Sequence, residues 1–216
     1  GLGQSPKVLP YNVLPYIRLN KGNILMKAQQ LRELYARIQK NYPDERLVFG
    51  DGNIDARLLL IGEAPGKEEI AKGRPFVGKA GKNLDEFLTS LALTRENFYL
   101  TNVCKFRPTK TSAKNSISNR PPTKAEILAA QPFLREETAI IAPKIIVTLG
   151  NTPLRAVTDF SADIGKCHGR AVCAANVGGA VLFALYHPAS IIYNPSLKET
   201  YIQDISKLAL LLQQIL

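Results

Sequence analysis

Cysteine is scarce in this chain: three residues, Cys104, Cys167 and Cys173, at spacings that form neither a disulfide framework nor a CxxC metal pair. The expected setting is a reducing, cytoplasmic one, nucleoid-associated if the source is bacterial. Long apolar runs are missing as well. None approaches the ~20 residues that a bilayer-spanning helix needs, and no basic segment leads into an apolar one at the start, so no membrane partner is expected. Acidic residues are in short supply, 18 Asp plus Glu against 28 Lys plus Arg in 216 residues, for a formal net charge of +10. Such an excess points to a polyanionic partner, nucleic acid before a membrane surface. Apolar residues, by contrast, make up 45% of the chain, which excludes global disorder and supports a good-sized core in one or two domains.

Hydrophobic periodicity divides the chain into alternating helices and strands. From Asn23 to Tyr42 the apolar positions recur every three or four residues, the period of one helix face. Leu58 to Gly62 is an apolar run too short for a helix and stopped by glycine, hence a buried strand. Leu84, Phe87, Leu88 and Leu91 mark a second helix, and Asn97 to Val103 a second strand. A long polar loop over 105–122 ends at Thr123-x-x-Glu126, which has the form of a capping box opening a helix. Lys144 to Leu149 and Val181 to Tyr186 read as the third and fourth strands, and the stripe from Leu197 to Leu212 as a C-terminal helix. The expected fold is α/β: a single three-layer α/β/α domain with a four-stranded, mostly parallel sheet over 31–216, preceded by an arm over 1–30.

In open α/β sheets, ligands bind beyond the carboxyl ends of the strands. Those ends carry Gly62-Glu63-Ala64-Pro65-Gly66, Thr101-Asn102, Gly150-Asn151 and His187-Pro188, so a carboxylate, an amide and an imidazole converge along one edge. The first segment is not a phosphate loop. Its glycines are separated by three residues instead of four, and Glu68 follows Lys67 where Ser or Thr should hold magnesium. A Rossmann fingerprint is absent too, since no G-x-G-x-x-G follows the first strand.

Five segments, Val48-Phe-Gly-Asp-Gly-Asn53, Leu60-Ile-Gly-Glu-Ala-Pro-Gly66, Gly73-Arg-Pro-Phe-Val-Gly78, Thr101-Asn-Val-Cys-Lys105 and Tyr186-His-Pro-Ala-Ser190, closely resemble the motifs of the family 4 uracil-DNA glycosylases, in order and in spacing. The resemblance runs from about Leu31 to the C-terminus. It implies a DNA repair enzyme that flips a base from the stack and hydrolyses its glycosidic bond through an oxocarbenium-like transition state. Glu63 would stabilise the sugar cation and orient water, and His187 would donate to the departing uracil oxygen. Glu69 matches a second acidic position near the uracil ring, either to position water or to block a 5-methyl group. Phe76 would stack on the base, while Gly62 and Ala64 would supply backbone amides. Asn102 would read the base edge, accepting from N3–H and donating to O4, a pattern cytosine reverses. Ser190, Ile191 and Ile192 match the loop that enters the minor groove, one isoleucine acting as the wedge. The implied partner is uracil-containing DNA, single- or double-stranded, bound by a monomer.

The family also carries a four-cysteine iron–sulfur cluster. Here residues 40–45 contain no cysteine, and Phe106 and Gln131 hold the third and fourth ligand positions. The expectation is a cluster-free protein with no cofactor and no metal site, Cys104 pointing to the opposite face from Phe106 if the strand continues. Two other activities compete: excision of hypoxanthine or xanthine, and a non-catalytic DNA-binding module of the same fold. The presence of Glu63, Asn102 and His187 together speaks against the latter. Finally, residues 105–124 hold six basic and no acidic side chains, +6 of the net +10. Lys105 and Arg107, at the root of this loop, are expected on DNA phosphates.

Overall fold

The computed structural model describes residues 21–215 apart from 173, 175 and 176. In chain order the elements are α1 (Lys21–Asn41), β1 (Asp51–Gly52), β2 (Leu58–Gly62), α2 (Lys67–Lys72), α3 (Lys79–Ser90), β3 (Phe98–Asn102), β4 (Thr109–Thr111) and β5 (Ile117–Asn119). They continue with α4 (Lys124–Ile141), β6 (Ile145–Leu149), α5 (Asn151–Val157), α6 (Ile164–Cys167), β7 (Arg170–Val172), β8 (Val181–Leu185), α7 (Ser190–Tyr193) and α8 (Lys198–Ile215).

Every residue of β2, β3 and β6 is buried, the mark of strands covered on both faces. Their side chains alternate between two cores. Leu59, Ile61, Tyr99 and Ile146 pack with Leu31, Leu134 and Leu154 of α1, α4 and α5. Leu58, Leu60, Leu100 and Val147 pack on the other face with Leu84 and Phe87 of α3 and Tyr201 and Leu208 of α8. Three layers follow from this period-two alternation.

The sheet has six strands in the order β1-β3-β2-β6-β8-β7. The four expected strands are its parallel centre, β3, β2, β6 and β8. Antiparallel edge strands of two and three residues, β1 and β7, extend it into a mixed sheet. Such short edges carry too little periodicity to be read from sequence. They cap the parallel core at both sides with segments too short to template further pairing.

Residues 1–20 of the expected arm, together with Cys173, lie outside the described residues. Residues 21–30 are not arm but the first turns of α1, tied to the body where Lys27 Nζ donates to Asp55 Oδ1 at 2.8 Å and to the Ile141 carbonyl at 2.9 Å. The polar stretch after β3 is likewise structured. β4 and β5 form an exposed hairpin in which Thr109 pairs with Asn119 and Thr111 with Ile117. At its base the capping box forms as expected, Thr123 Oγ1 accepting from Glu126 N–H at 3.2 Å and Glu126 Oε2 from Thr123 N–H at 2.6 Å.

Candidate active site

The parallel ladder pairs Gly62 with Asn102 and Leu149 with Leu185. Four strand ends therefore line up in the order Asn102, Gly62-Glu63, Gly150 to Thr152, and His187. The sheet edge brings together the residues that the sequence placed at separate strand ends.

Gly62 is where the pocket closes in. A Cβ there would overlap both Asn102 Oδ1 and the Phe76 ring, so the strand must end in glycine for the two side chains to approach. Asn102 is 2% exposed, and its Oδ1 has no hydrogen-bond partner among the described residues. A buried, unpaired carbonyl oxygen is costly unless a ligand's N–H comes to it. The carbonyls of Gly62 and Glu63 accept from Val103 N–H at 3.0 Å and Cys104 N–H at 3.1 Å, which fixes the peptide planes of the loop. Ala64 packs partly against the core beneath.

Phe76 faces the His187 ring at a centroid distance of 6.1 Å and an interplanar angle of 29°. Its backbone has φ = 52°, strained for a residue with a side chain. Two groups hold it there. On one side Arg95 Nη2 donates to the Phe76 carbonyl at 2.5 Å while its Nε bonds Asp85 Oδ1 at 3.0 Å. On the other, Glu69 Oε1 accepts from Val77 N–H at 3.1 Å and Gly78 N–H at 2.8 Å, and its Oε2 from Gly66 N–H at 3.1 Å. Both oxygens of Glu69 are thus engaged by backbone amides. These bonds brace the loop that presents Phe76, whichever of the two roles the resemblance leaves open Glu69 also serves.

Glu63 lies half-buried, its Oε2 accepting from Thr152 Oγ1 at 2.5 Å across the β2–β6 junction. Burial raises its pKa, and the Thr152 bond acts in the opposite direction. His187 is driven the other way. Desolvation lowers its pKa from the ordinary 6.5 to about 4, so the ring is neutral at physiological pH. Ala189 N–H donates to Nδ1 at 3.1 Å, which leaves the proton of the neutral ring on Nε2 as a donor. A Cβ on Gly150, at φ = 101°, would lie 3.2 Å from His187 Cβ, so glycine serves both the turn and the close approach.

Lys105 requires correction. It is 4% exposed and its Nζ is saturated inside the protein, so it has no reach to a phosphate. A turn after Asn102 folds it inward, which its charge alone could not indicate. Arg107 is half-buried at the hairpin root, Nε donating to Asn119 Oδ1 at 2.7 Å. Ser190 opens α7, its N–H donating to the His187 carbonyl at 2.8 Å. Ile191 packs partly against the core on the α3 and α8 face, and the Ile192 side chain lies outside the described residues. Tyr193, at the end of this helix, is 86% exposed. Arg95 and Thr152 escaped the sequence reading, because both stand outside the five motifs.

The residues at the cluster positions do not suit iron–sulfur ligation. Tyr42, within 40–45, packs against Phe106 at a centroid distance of 5.3 Å. Gln131 Nε2 donates to the Ala156 carbonyl at 2.7 Å and to Asp159 Oδ1 at 3.1 Å. Neither a phenyl ring nor a carboxamide supplies the thiolate that such a cluster takes from its ligands. Cys104 does not point away from Phe106: residues two apart in an extended chain share a face, and both side chains sit in one core cluster. Burial raises the Cys104 thiol to about 12, so it stays protonated there.

The three-layer α/β/α fold brings a carboxylate, an amide and a neutral imidazole to one sheet edge, groups suited to the binding and hydrolysis of a polar substrate. A family model of the uracil DNA glycosylase superfamily matches residues 49–208. The chain is 37% identical over 166 residues to the Type-4 uracil-DNA glycosylase of Archaeoglobus fulgidus, covering 74% of this chain and 79% of that protein. To the Type-4 uracil-DNA glycosylase of Thermotoga maritima it is 38% identical over 164 residues, covering 74% and 80%. Among solved structures, Pedobacter heparinus SMUG2 superposes with a TM-score of 0.51 at 16% identity, over 86% of this chain and 83% of that one, a likeness of fold. The chain belongs to the uracil DNA glycosylase superfamily.

Proposed function

We propose that the protein is a monofunctional uracil-DNA glycosylase that hydrolyses the bond between uracil N1 and the deoxyribose and leaves an abasic site. The observation that carries this reading is the unpaired Oδ1 of Asn102, buried beside Gly62 and the Phe76 edge. A uracil drawn into this space offers N3–H to that oxygen and O4 to the amide nitrogen; cytosine offers an acceptor where uracil has a donor. As the glycosidic bond breaks, positive charge grows on the sugar and negative charge on the base. Ionised Glu63 opposes the first and orients the attacking water. The Nε2–H of neutral His187 meets the second, donating a hydrogen bond to the uracil oxygen without giving up its proton. Water adds its hydroxide to the sugar C1′, and its remaining proton passes to Glu63 and on to the departing base.

The chemistry requires no cluster. Phe106 packs on Tyr42 and Gln131 bonds the Ala156 carbonyl at the positions that the resemblance gives to cluster ligands, which supports reading the protein as cofactor-free. DNA backbone contacts fall to Arg107, Lys110 and Lys114, since Lys105 is paired with Glu137 and Arg120 with Glu126 at 2.7 Å.

Alkali treatment of uracil-containing single- and double-stranded oligonucleotides after incubation with the protein tests the activity. Strand cleavage at the uracil position is expected, and His187→Ala should slow single-turnover excision about 100-fold or more. Intact strands with retained DNA binding would make the chain a binding module instead.

A further inference from the structure

Lys105 and Glu137 form a buried ion pair with Nζ to Oε2 at 2.6 Å, the lysine 4% exposed and the glutamate 0%. The ammonium has three N–H donors and all are used: Glu137 Oε2, Thr101 Oγ1 at 2.6 Å and the Asn102 carbonyl at 2.7 Å. Glu137 is equally saturated. Its Oε1 accepts from Tyr35 Oη at 2.6 Å, Tyr99 Oη at 3.4 Å and Thr101 Oγ1 at 3.2 Å. Burial and the carboxylate keep both tyrosine hydroxyls protonated as donors.

Stability alone gives no reason for such a network, because well-packed apolar residues of the same size hold a core as well or better than a buried ion pair. Its location does. Asn102 is the last residue of β3. Past it the chain stays attached to the β2 end through Val103 N–H and Cys104 N–H, while the carbonyl of Asn102 itself ends on Lys105. The peptide that carries the reading amide is clamped at that carbonyl.

We infer that Lys105, backed by Glu137, is the positioning residue for Asn102 and thereby sets recognition of the base. The inference rests on Asn102 as the uracil reader. Through the clamp, the side chain of Asn102 keeps Oδ1 beside Gly62 with no protein partner, ready for the N3–H of the base. The clamp joins the pocket floor to α1 and α4 through Tyr35 and Glu137, and its ion pair is buried away from the surface that DNA could reach.

A double-mutant cycle tests the clamp. Lys105→Met with Glu137→Gln removes both charges together and leaves no unpaired ion in the core. In single-turnover excision this variant should lose about 10- to 100-fold, the scale of a small misplacement of a reacting group. It should bind a duplex containing an abasic-site analogue as the wild type does, with the same salt dependence. In an Asn102→Ala background the same pair of changes should cost less than about twofold, because its target is gone. Equal losses in both backgrounds would overturn the inference in favour of a general structural role; weaker DNA binding with a flatter salt slope would restore Lys105 to the phosphates. Should the double variant fail to fold, Thr101→Val keeps the ion pair, removes one ammonium acceptor and is carried through the same cycle, with a loss confined to the Asn102 background. A wild-type protein that leaves uracil in DNA sinks the glycosylase reading and not the clamp. The clamp is then read from the Asn102 side-chain amide signals in NMR, which must shift or broaden in the double variant; unchanged signals overturn it.

Discussion

Glu63 is asked to be an anion in a place that favours its neutral acid. Burial raises its pKa, and the hydroxyl of Thr152 is the neighbour that counters this by donating to Oε2. His187, neutral down to about pH 4, does not set the acid side of the activity. The protein should therefore lose excision as pH falls through the raised pKa of Glu63, with a midpoint above the ordinary carboxylate value. Thr152→Val removes the opposing bond, so its acid limb should move to higher pH while the rate at the alkaline plateau changes less. Thr152→Ser should restore the profile. Single-turnover rates across pH 4 to 9 measure this, and a Thr152→Val profile superimposed on the wild type would contradict it. At this scale the meeting of Glu63, Asn102 and His187 was legible in the sequence, because all three stand at strand ends in linked motifs and the parallel sheet brings those ends to one edge. The sequence could not disclose their supports: Thr152, Arg95 and Lys105 act through contacts that only the folded chain creates. Lys105 was the instructive case, since a charge in a basic run is indistinguishable from one that will be buried against a glutamate 32 residues away.

The same boundary between pattern and contact recurs among the elements. Helices α3, α4 and α8 and the four central strands are legible because each repeats an apolar period over enough residues to be distinctive. Helix α2 spans only six residues with none buried, so its sequence reads as part of a loop. The β4–β5 hairpin is equally hidden: all six of its strand residues are exposed and nothing alternates. Its base is nonetheless firm, with Arg120 Nη1 and Nη2 both bonded to Glu126 at 2.7 Å. That pairing holds Glu126 down at about 2, well below the usual carboxylate range. The hairpin root also lies against Gly66 of the catalytic loop, where a Cβ would come within 3.4 Å of Asn119 Nδ2. Lys110 and Lys114 thus project from a braced arm beside the pocket. Replacing both by Gln should weaken DNA binding and reduce the slope of log affinity against log salt by about 2, one for each phosphate that loses its lysine. Preference for uracil over cytosine should not change, because backbone contacts carry no base information. An unaltered salt slope would remove the hairpin from the DNA interface.

For the molecule as a whole, the regions of interest are the end of α1, the turn after β3 and α4, where the resemblance would set cluster ligands and where the protein is proposed to hold together without one. Phe106 is 7% exposed and packed on Tyr42; Gln131 bonds the end of α5; and the capping box with Arg120 locks the start of α4. The aromatic pair joins the end of α1 to the turn after β3, while Gln131 ties α4 to α5 and Arg120 ties the start of α4 to the hairpin base. The proposed cluster-free fold has a consequence that a metal-stapled fold would not share. Treatment with a strong iron chelator should leave melting temperature and activity unchanged, whereas Phe106→Ala should destabilise by about 3–5 kcal/mol, the usual cost of emptying a buried aromatic site. For a chain of this size each kcal/mol is worth about 2–4 °C in melting temperature, so calorimetry resolves the difference readily. The excision rate of the folded fraction should change little, because Phe106 belongs to the α1 and α4 face of the sheet while His187 and Asn102 meet at its carboxyl edge. About four irons per chain in the purified protein, or a melting temperature that falls with chelator, would place the staple back in metal.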